Sequence, residues 1–269
     1  MKTEKIVNRM LSALLFDIMT LKSDTEVKVM SYFMFAIALI AVTIFILVEV
    51  RHQSLRALFF KIVASFSFIA LFVVVFQEKT HMSDSNYYLG GAFNPYIPYM
   101  LLFGLGLVAG LIGDIVLGLR PLLPKSDNHA LIMTGIVAFS VGHILYYLAL
   151  VWMNRFTFIP FIITIVVSVV VFFGAKILKI EWGKLMIPCM AYSFLIFLMV
   201  GQAIVNAMDR GFDIFSIIIF TGAVLFGVSD LILSQIYFKP HHRPIHVITN
   251  LSTYYLAQLF LAFAFLFVV

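Results

Sequence analysis

The sequence predicts an all-α membrane protein, a bundle of about eight transmembrane helices with a polar pocket inside. Three observations lead there. Hydrophobic residues make up 63% of the 269 and charged residues only 12%, with a mean hydropathy of +1.08; a soluble domain keeps roughly a quarter of its residues charged to cover its surface. The apolar residues, 29 phenylalanines among them, come in runs of about twenty, the length that crosses hydrocarbon as a helix. They do not alternate with polar residues over about ten positions, as the strands of a membrane barrel do.

In chain order, residues 1–28 form an N-terminal extension with no apolar stretch long enough for a cleavable signal. Within it, residues 6–21 are read as lying along the membrane surface, with Arg9 and Asp17 toward water. Residues 29–269 form the transmembrane domain, with spans expected at 29–49, 57–76, 96–118, 130–152, 156–175, 185–206, 212–237 and 245–269. The one long polar connection runs from 77 to 95. The others are short, which favours antiparallel packing of successive helices. The loops after spans one, three, five and seven carry ten Lys/Arg and those after two, four and six carry three. The positive-inside rule therefore places both termini outside and the loops beyond spans three and seven in the cytoplasm.

Other classes are poorly served. Cys189 is the single cysteine, so no intrachain disulfide forms. The net charge of +5 is scattered over loops, which suits anionic lipid head groups and not a nucleic acid. His241, His242 and His246 share one loop, but their spacing matches no standard zinc motif, and no metal is assigned. A faint internal echo is present: Gly113-Asp114-Ile-Val-Leu117 is followed by Tyr146-Tyr-Leu-Ala149, and Ser229-Asp230-Leu-Ile-Leu233 by Tyr254-Tyr-Leu-Ala257. Four helices per half would make a parallel repeat.

The chemistry is sought where polar groups are expensive. Of thirteen acidic residues, eleven lie in the extension, in loops or at span ends. Asp114 and Asp230 do not. Each costs about 2.5–3.5 kcal/mol to insert, so each is expected to face the bundle interior or a wet cavity. Spans three and seven run in the same direction, which puts both carboxylates in the same half of the membrane. Gly106, Gly110 and Gly113 line a stripe beside Asp114 that admits a close neighbour, a helix or a substrate chain. Span four offers His143 and Tyr146, span six Gln202 and Asn206, span seven Ser229, and span eight Tyr254, Tyr255 and Gln258. These groups pair with one another or with a polar ligand. The tyrosines suit interfacial anchoring equally well. No Lys or Arg is expected deep in a span as a partner for either aspartate.

Four motifs, Gly110-Leu-Ile-Gly113-Asp114-Ile-Val-Leu117, Phe139-Ser-Val-Gly-His143-Ile-Leu-Tyr146, Gly222 through Ser229-Asp230, and Tyr254-Tyr255-Leu-Ala-Gln258, together resemble the YhhN family of polytopic membrane proteins, which includes the animal lysoplasmalogenases. The resemblance runs over residues 30–269. The family's Lys-Pro pair at the start of the second span is not kept, because Ile62 follows Lys61. The resemblance implies eight helices and hydrolysis of the vinyl ether bond of a lysoplasmalogen, giving a fatty aldehyde and a glycerophospho-alcohol. Protonating a vinyl ether's β-carbon leaves an oxocarbenium ion for water to trap, so the reaction needs a general acid and a nearby negative charge. Two carboxylates in a low-dielectric cavity can divide these roles. Asp230 is assigned the acid and Asp114 the charge-stabilising, water-orienting base, although the residues alone fit the reverse assignment as well. His143 and Tyr254 or Tyr255 position water or the glycerol hydroxyl, and Arg120, Lys125 and Lys239 meet the phosphate. No cofactor is required; the partners are a lysophospholipid and the bilayer, in the inner membrane of a bacterium or an internal membrane of a eukaryotic cell.

The rival reading is a proton- or ion-coupled transporter working through the same two aspartates. Pro188 near the start of span six has no counterpart in the other half, which disfavours the paired broken helices of carriers.

Overall fold

The computed structural model describes residues 28–51, 55–87, 96–239 and 243–268, without the side chains of 81–87. The expected surface helix at 6–21, His241 and His242 lie outside the described residues. Among those described, eight helices are long and apolar enough to cross a membrane, so this is an integral multi-pass protein. They are α1 (Lys28–Arg51), α2 (Leu55–Tyr87), α3 (Ile97–Gly118), α4 (Asn128–Met153), α5 (Ile159–Ile177), α6 (Met186–Asp209), α7 (Ile214–Phe238) and α8 (Pro244–Phe263).

Two expected boundaries move. Helix α2 continues through residues 77–87, expected from sequence to be loop, because Gln77 to Tyr87 contains no glycine or proline to stop it. At the other end of the chain α8 stops at Phe263, and Ala264–Phe267 tighten into a 3-10 turn. Local chemistry accounts for several helix starts. Pro98, Pro160 and Pro244 occupy the first turns of α3, α5 and α8, where no backbone donor is lost. The Asp213 side chain caps α7 by accepting the Ser216 backbone N–H at 2.8 Å.

The helices are not equally placed. Helix α8 is the axis of the bundle: α2, α3 and α7 pack on it, and Phe35 and Phe45 of α1 meet its Phe263 and Tyr255. The most extensive pairs are α3 with α4 and α7 with α8, the two pairs that carry the repeated motifs. Helix α5 is peripheral and packs chiefly on α6. Helices α3, α5 and α7 finish at one end of the bundle, where α4, α6 and α8 begin. At the opposite end Phe265 anchors the core, its ring against Phe72, Tyr99, Phe103 and Phe215.

Candidate active site

Asp114 lies one turn before the end of α3 and is 3% exposed. Its carboxylate is met from two neighbouring helices. Ser65 on α2 and Tyr254 on α8 each donate to Oδ2 at 2.7 Å, and Lys61 Nζ stands 3.6 Å from Oδ1. Lys61 and Ser65 are four residues apart on α2, so one helical face presents both. The expectation that no cation reaches a buried aspartate is therefore corrected. Sequence reading counts Lys61 with the loop after span one although the span expected at 57–76 contains it, and α2, which begins at Leu55, carries it inside. An ionised carboxylate buried this deeply needs such partners, since one left unpaired is costly.

Behind this first set a chain of hydrogen bonds crosses the bundle. Ser65 Oγ is 3.1 Å from the Tyr255 hydroxyl. Gln258 Nε2 donates to the Tyr254 hydroxyl at 3.2 Å, and Tyr146 donates to Gln258 Oε1 at 3.0 Å. The glycine stripe makes room for these groups. A Cβ at Gly110 would stand 2.6 Å from the Gln258 amide, and one at Gly113 would stand 2.6 Å from the Phe139 ring. The stripe is thus close packing, at Gly110 against the Gln258 amide that holds the Tyr254 hydroxyl and at Gly113 against Phe139.

Asp230 on α7 has a barer setting. Tyr192 on α6 donates to its Oδ2 at 2.5 Å, and among the described residues it has no ion pair. Its neighbour Ser229 is joined to Asn250 of α8: Asn250 Nδ2 donates to the Ser229 carbonyl at 2.8 Å and to Oγ at 3.0 Å, and Ser229 Oγ donates to the Asn250 carbonyl at 3.2 Å. That clamp fixes the register of α7 on α8 and hence the position of Asp230.

Both aspartates line one cavity of about 460 Å³, together with Glu49, Lys61, Arg120, Lys125, Ser229 and Tyr254. Arg120 is held there with its guanidinium 3.9 Å above the Tyr237 ring. A second cavity of about 380 Å³ lies between α4, α5, α6 and α7 and is walled mainly by aliphatic and aromatic side chains. The two share Leu117, Phe139, Asp230, Leu233 and Tyr237. Asp230 is the acidic residue on that seam.

Other sequence-nominated residues stand elsewhere. Tyr146, Tyr255 and Gln258 sit one layer behind the cavity wall, in the hydrogen-bond chain. His143 is 1% exposed and lines neither cavity; its ring packs edge-on against Phe226 at 4.5 Å and near Tyr192 at 5.6 Å. Lys239 is off the cavity wall and reaches Gln235 at 3.4 Å. Gln202 and Asn206 are at the opposite end. There Gln202 donates to Asn206 Oδ1 at 2.9 Å, Asn206 donates to the Leu150 carbonyl at 2.9 Å, and Asn154 and Arg155 reach Asp209. Sequence reasoning misses Lys61, Ser65, Tyr192 and Glu49. The signal for the first two is their four-residue spacing in an otherwise apolar run.

The sequence model of the YhhN family matches residues 89–265, well over half of the chain. The chain belongs to the YhhN family. No curated protein and no solved structure matches it. The YhhN match covers α3 to α8, including both aspartates, His143 and Tyr254, and is narrower than the resemblance over 30–269. Lys61 and Ser65 lie before it, so this part of the Asp114 environment is supplied from outside the matched residues.

Proposed function

We propose that this YhhN protein hydrolyses the vinyl ether bond of a lysoplasmalogen, with Asp230 as general acid and Asp114 as the ionised partner. The observation that carries the reading is the position of Asp230 on the seam between a charged cavity and an apolar one. A lysolipid changes from polar to apolar at its ether linkage, so a molecule with its phosphate near Arg120 and Lys125 and its chain among α5, α6 and α7 brings the alkenyl carbons to Asp230. The donors around the two carboxylates support the division of roles. Asp114 is set among Lys61, Ser65 and Tyr254, all of which favour negative charge, whereas Asp230 faces the greasy side.

In the proposed sequence Asp230 gives its proton to the β-carbon, and the double-bond electrons form that C–H bond. The resulting oxocarbenium ion is stabilised by the Asp114 carboxylate. Water adds to the α-carbon as Asp114 takes its proton, giving a hemiacetal. That proton then passes to the departing glycerol oxygen while Asp230 recovers one from the hemiacetal hydroxyl, which closes to the aldehyde. Both carboxylates return to their starting state.

The test is release of long-chain aldehyde from a 1-alkenyl lysophospholipid by the purified protein in detergent. Wild type is expected to be active and Asp114→Asn and Asp230→Asn inactive. Activity surviving both substitutions rules the mechanism out. An inactive wild type whose ion flux in proteoliposomes depends on the same aspartates would make it a carrier.

A further inference from the structure

We infer that Gly174 on α5 sets the depth of the site that receives the hydrocarbon chain, and so determines which chain lengths the protein accepts. This rests on the lipid-hydrolase reading and deepens it. The apolar cavity beside Asp230 has opposing walls from α5 (Val170, Val171, Gly174, Leu178) and α7 (Gly227, Leu231, Ser234). These two helices do not pack on each other to any extent; the cavity occupies the space between them. One backbone bond bridges its end, from the Glu181 N–H to the Phe238 carbonyl at 3.4 Å.

Continuity with the charged cavity argues for the occupant. The cavity shares Asp230, Leu233 and Tyr237 with the charged one, so an occupant that spans both carries a polar head on the other side. A single unbranched alkyl or alkenyl chain fits that description. Gly174 is the opening in the wall. A Cβ built there meets nothing within 4 Å, although the residue lines the cavity. By contrast, a Cβ at Gly227, also in the wall, would press on the Phe197 ring at 3.3 Å. A side chain at 174 therefore enters the cavity without straining the fold, and it takes space from the chain.

Each buried methylene is worth about fourfold in affinity, so loss of three methylenes from the cavity weakens a long chain on the order of 60-fold. In Gly174→Phe the preference in kcat/KM for a hexadecenyl over an octenyl lysolipid is expected to shrink by that order. Val171→Phe, placed on the same wall, is expected to act in the same direction. A binding readout stands apart from catalysis. Trp182 lines the cavity, and the other tryptophan, Trp152, is exposed at the opposite end. In a Trp152→Phe background, a brominated-chain 1-alkyl lysophosphocholine, which cannot be cleaved, is expected to quench Trp182, and Gly174→Phe to remove most of that quenching. Quenching unchanged by Gly174→Phe, or a chain-length preference unchanged in both variants, overturns the inference. If no alkenyl lipid is cleaved even by wild type, the hydrolase reading fails, and the quenching alone decides whether the cavity holds a chain.

Discussion

The two ends of the bundle use similar residues for different ends. At one, Asp114, Lys61, Tyr254 and Asp230 surround open space of about 460 Å³. At the other, Gln202, Asn206, Asn154, Arg155 and Asp209 hydrogen-bond one another and the carbonyls of Leu150 and Arg155. Both are polar groups in or beside hydrocarbon, and both follow the rule that such groups find partners. The difference is that a ligand-sized void adjoins the first network, whereas the second lines neither of the two cavities. A polar residue in a span announces an interaction; the void beside it announces a substrate.

Four substitutions sharpen or break this contrast, in descending size. Asp230→Asn at the cavity end is expected to lower kcat for aldehyde release by about 10²–10⁴-fold, the usual worth of a positioned proton transfer, with little change in thermal unfolding. Lys61→Met leaves Asp114 buried without its cation; removing one partner of a buried pair costs about 3–5 kcal/mol. Chemical or thermal denaturation should show that loss, and Lys61→Arg should recover part of it. At the far end Asn206→Leu is expected to cost about 1–3 kcal/mol of stability by stranding the Leu150 carbonyl and the Gln202 amide, with kcat unchanged. A kcat loss there matching that of Asp230→Asn would erase the distinction between the ends.

The smallest effect concerns Asp213 in the loop before α7. Partial burial works against its charge, but Arg210, donating at 2.6 and 2.8 Å, and Ser216 outweigh it and hold the carboxyl below the usual range. A carboxyl lowered on folding stabilises above its unfolded value, and that contribution is lost as pH falls through the folded one. Asp213→Ala is expected to cost about 1 kcal/mol as a lost cap and to flatten the acid limb of the stability profile measured from neutral to about pH 3.

Much of the fold could be read from the residues because hydrocarbon imposes a length. Runs of apolar residues locate the helices to within a few positions, and only α2, which runs on through a polar stretch, differs greatly. That Asp114 and Asp230 line one cavity is legible too, from direction alone: two helices of equal sense carry their late residues to the same side. Lys61 was hidden because a lysine four residues from a loop reads as part of it, and only the packing of α2 on α3 shows that its amine turns inward. Asn206 shows the converse failure. Its distance from the end of α6 placed it on the wrong side for the carboxylates, and its chemical type alone brought it into the candidate set.

The seam at Asp230 also governs how the products of the proposed cleavage depart. Head and tail of the lipid rest in different compartments, separated by Leu117, Phe139 and α7. Once the bond between them breaks, the water-soluble fragment is released among lysine and arginine side chains, whereas the aldehyde is already surrounded by aliphatic walls continuous with peripheral α5. On the proposed reaction the two fragments therefore form on opposite sides of Asp230, in cavities of opposite polarity.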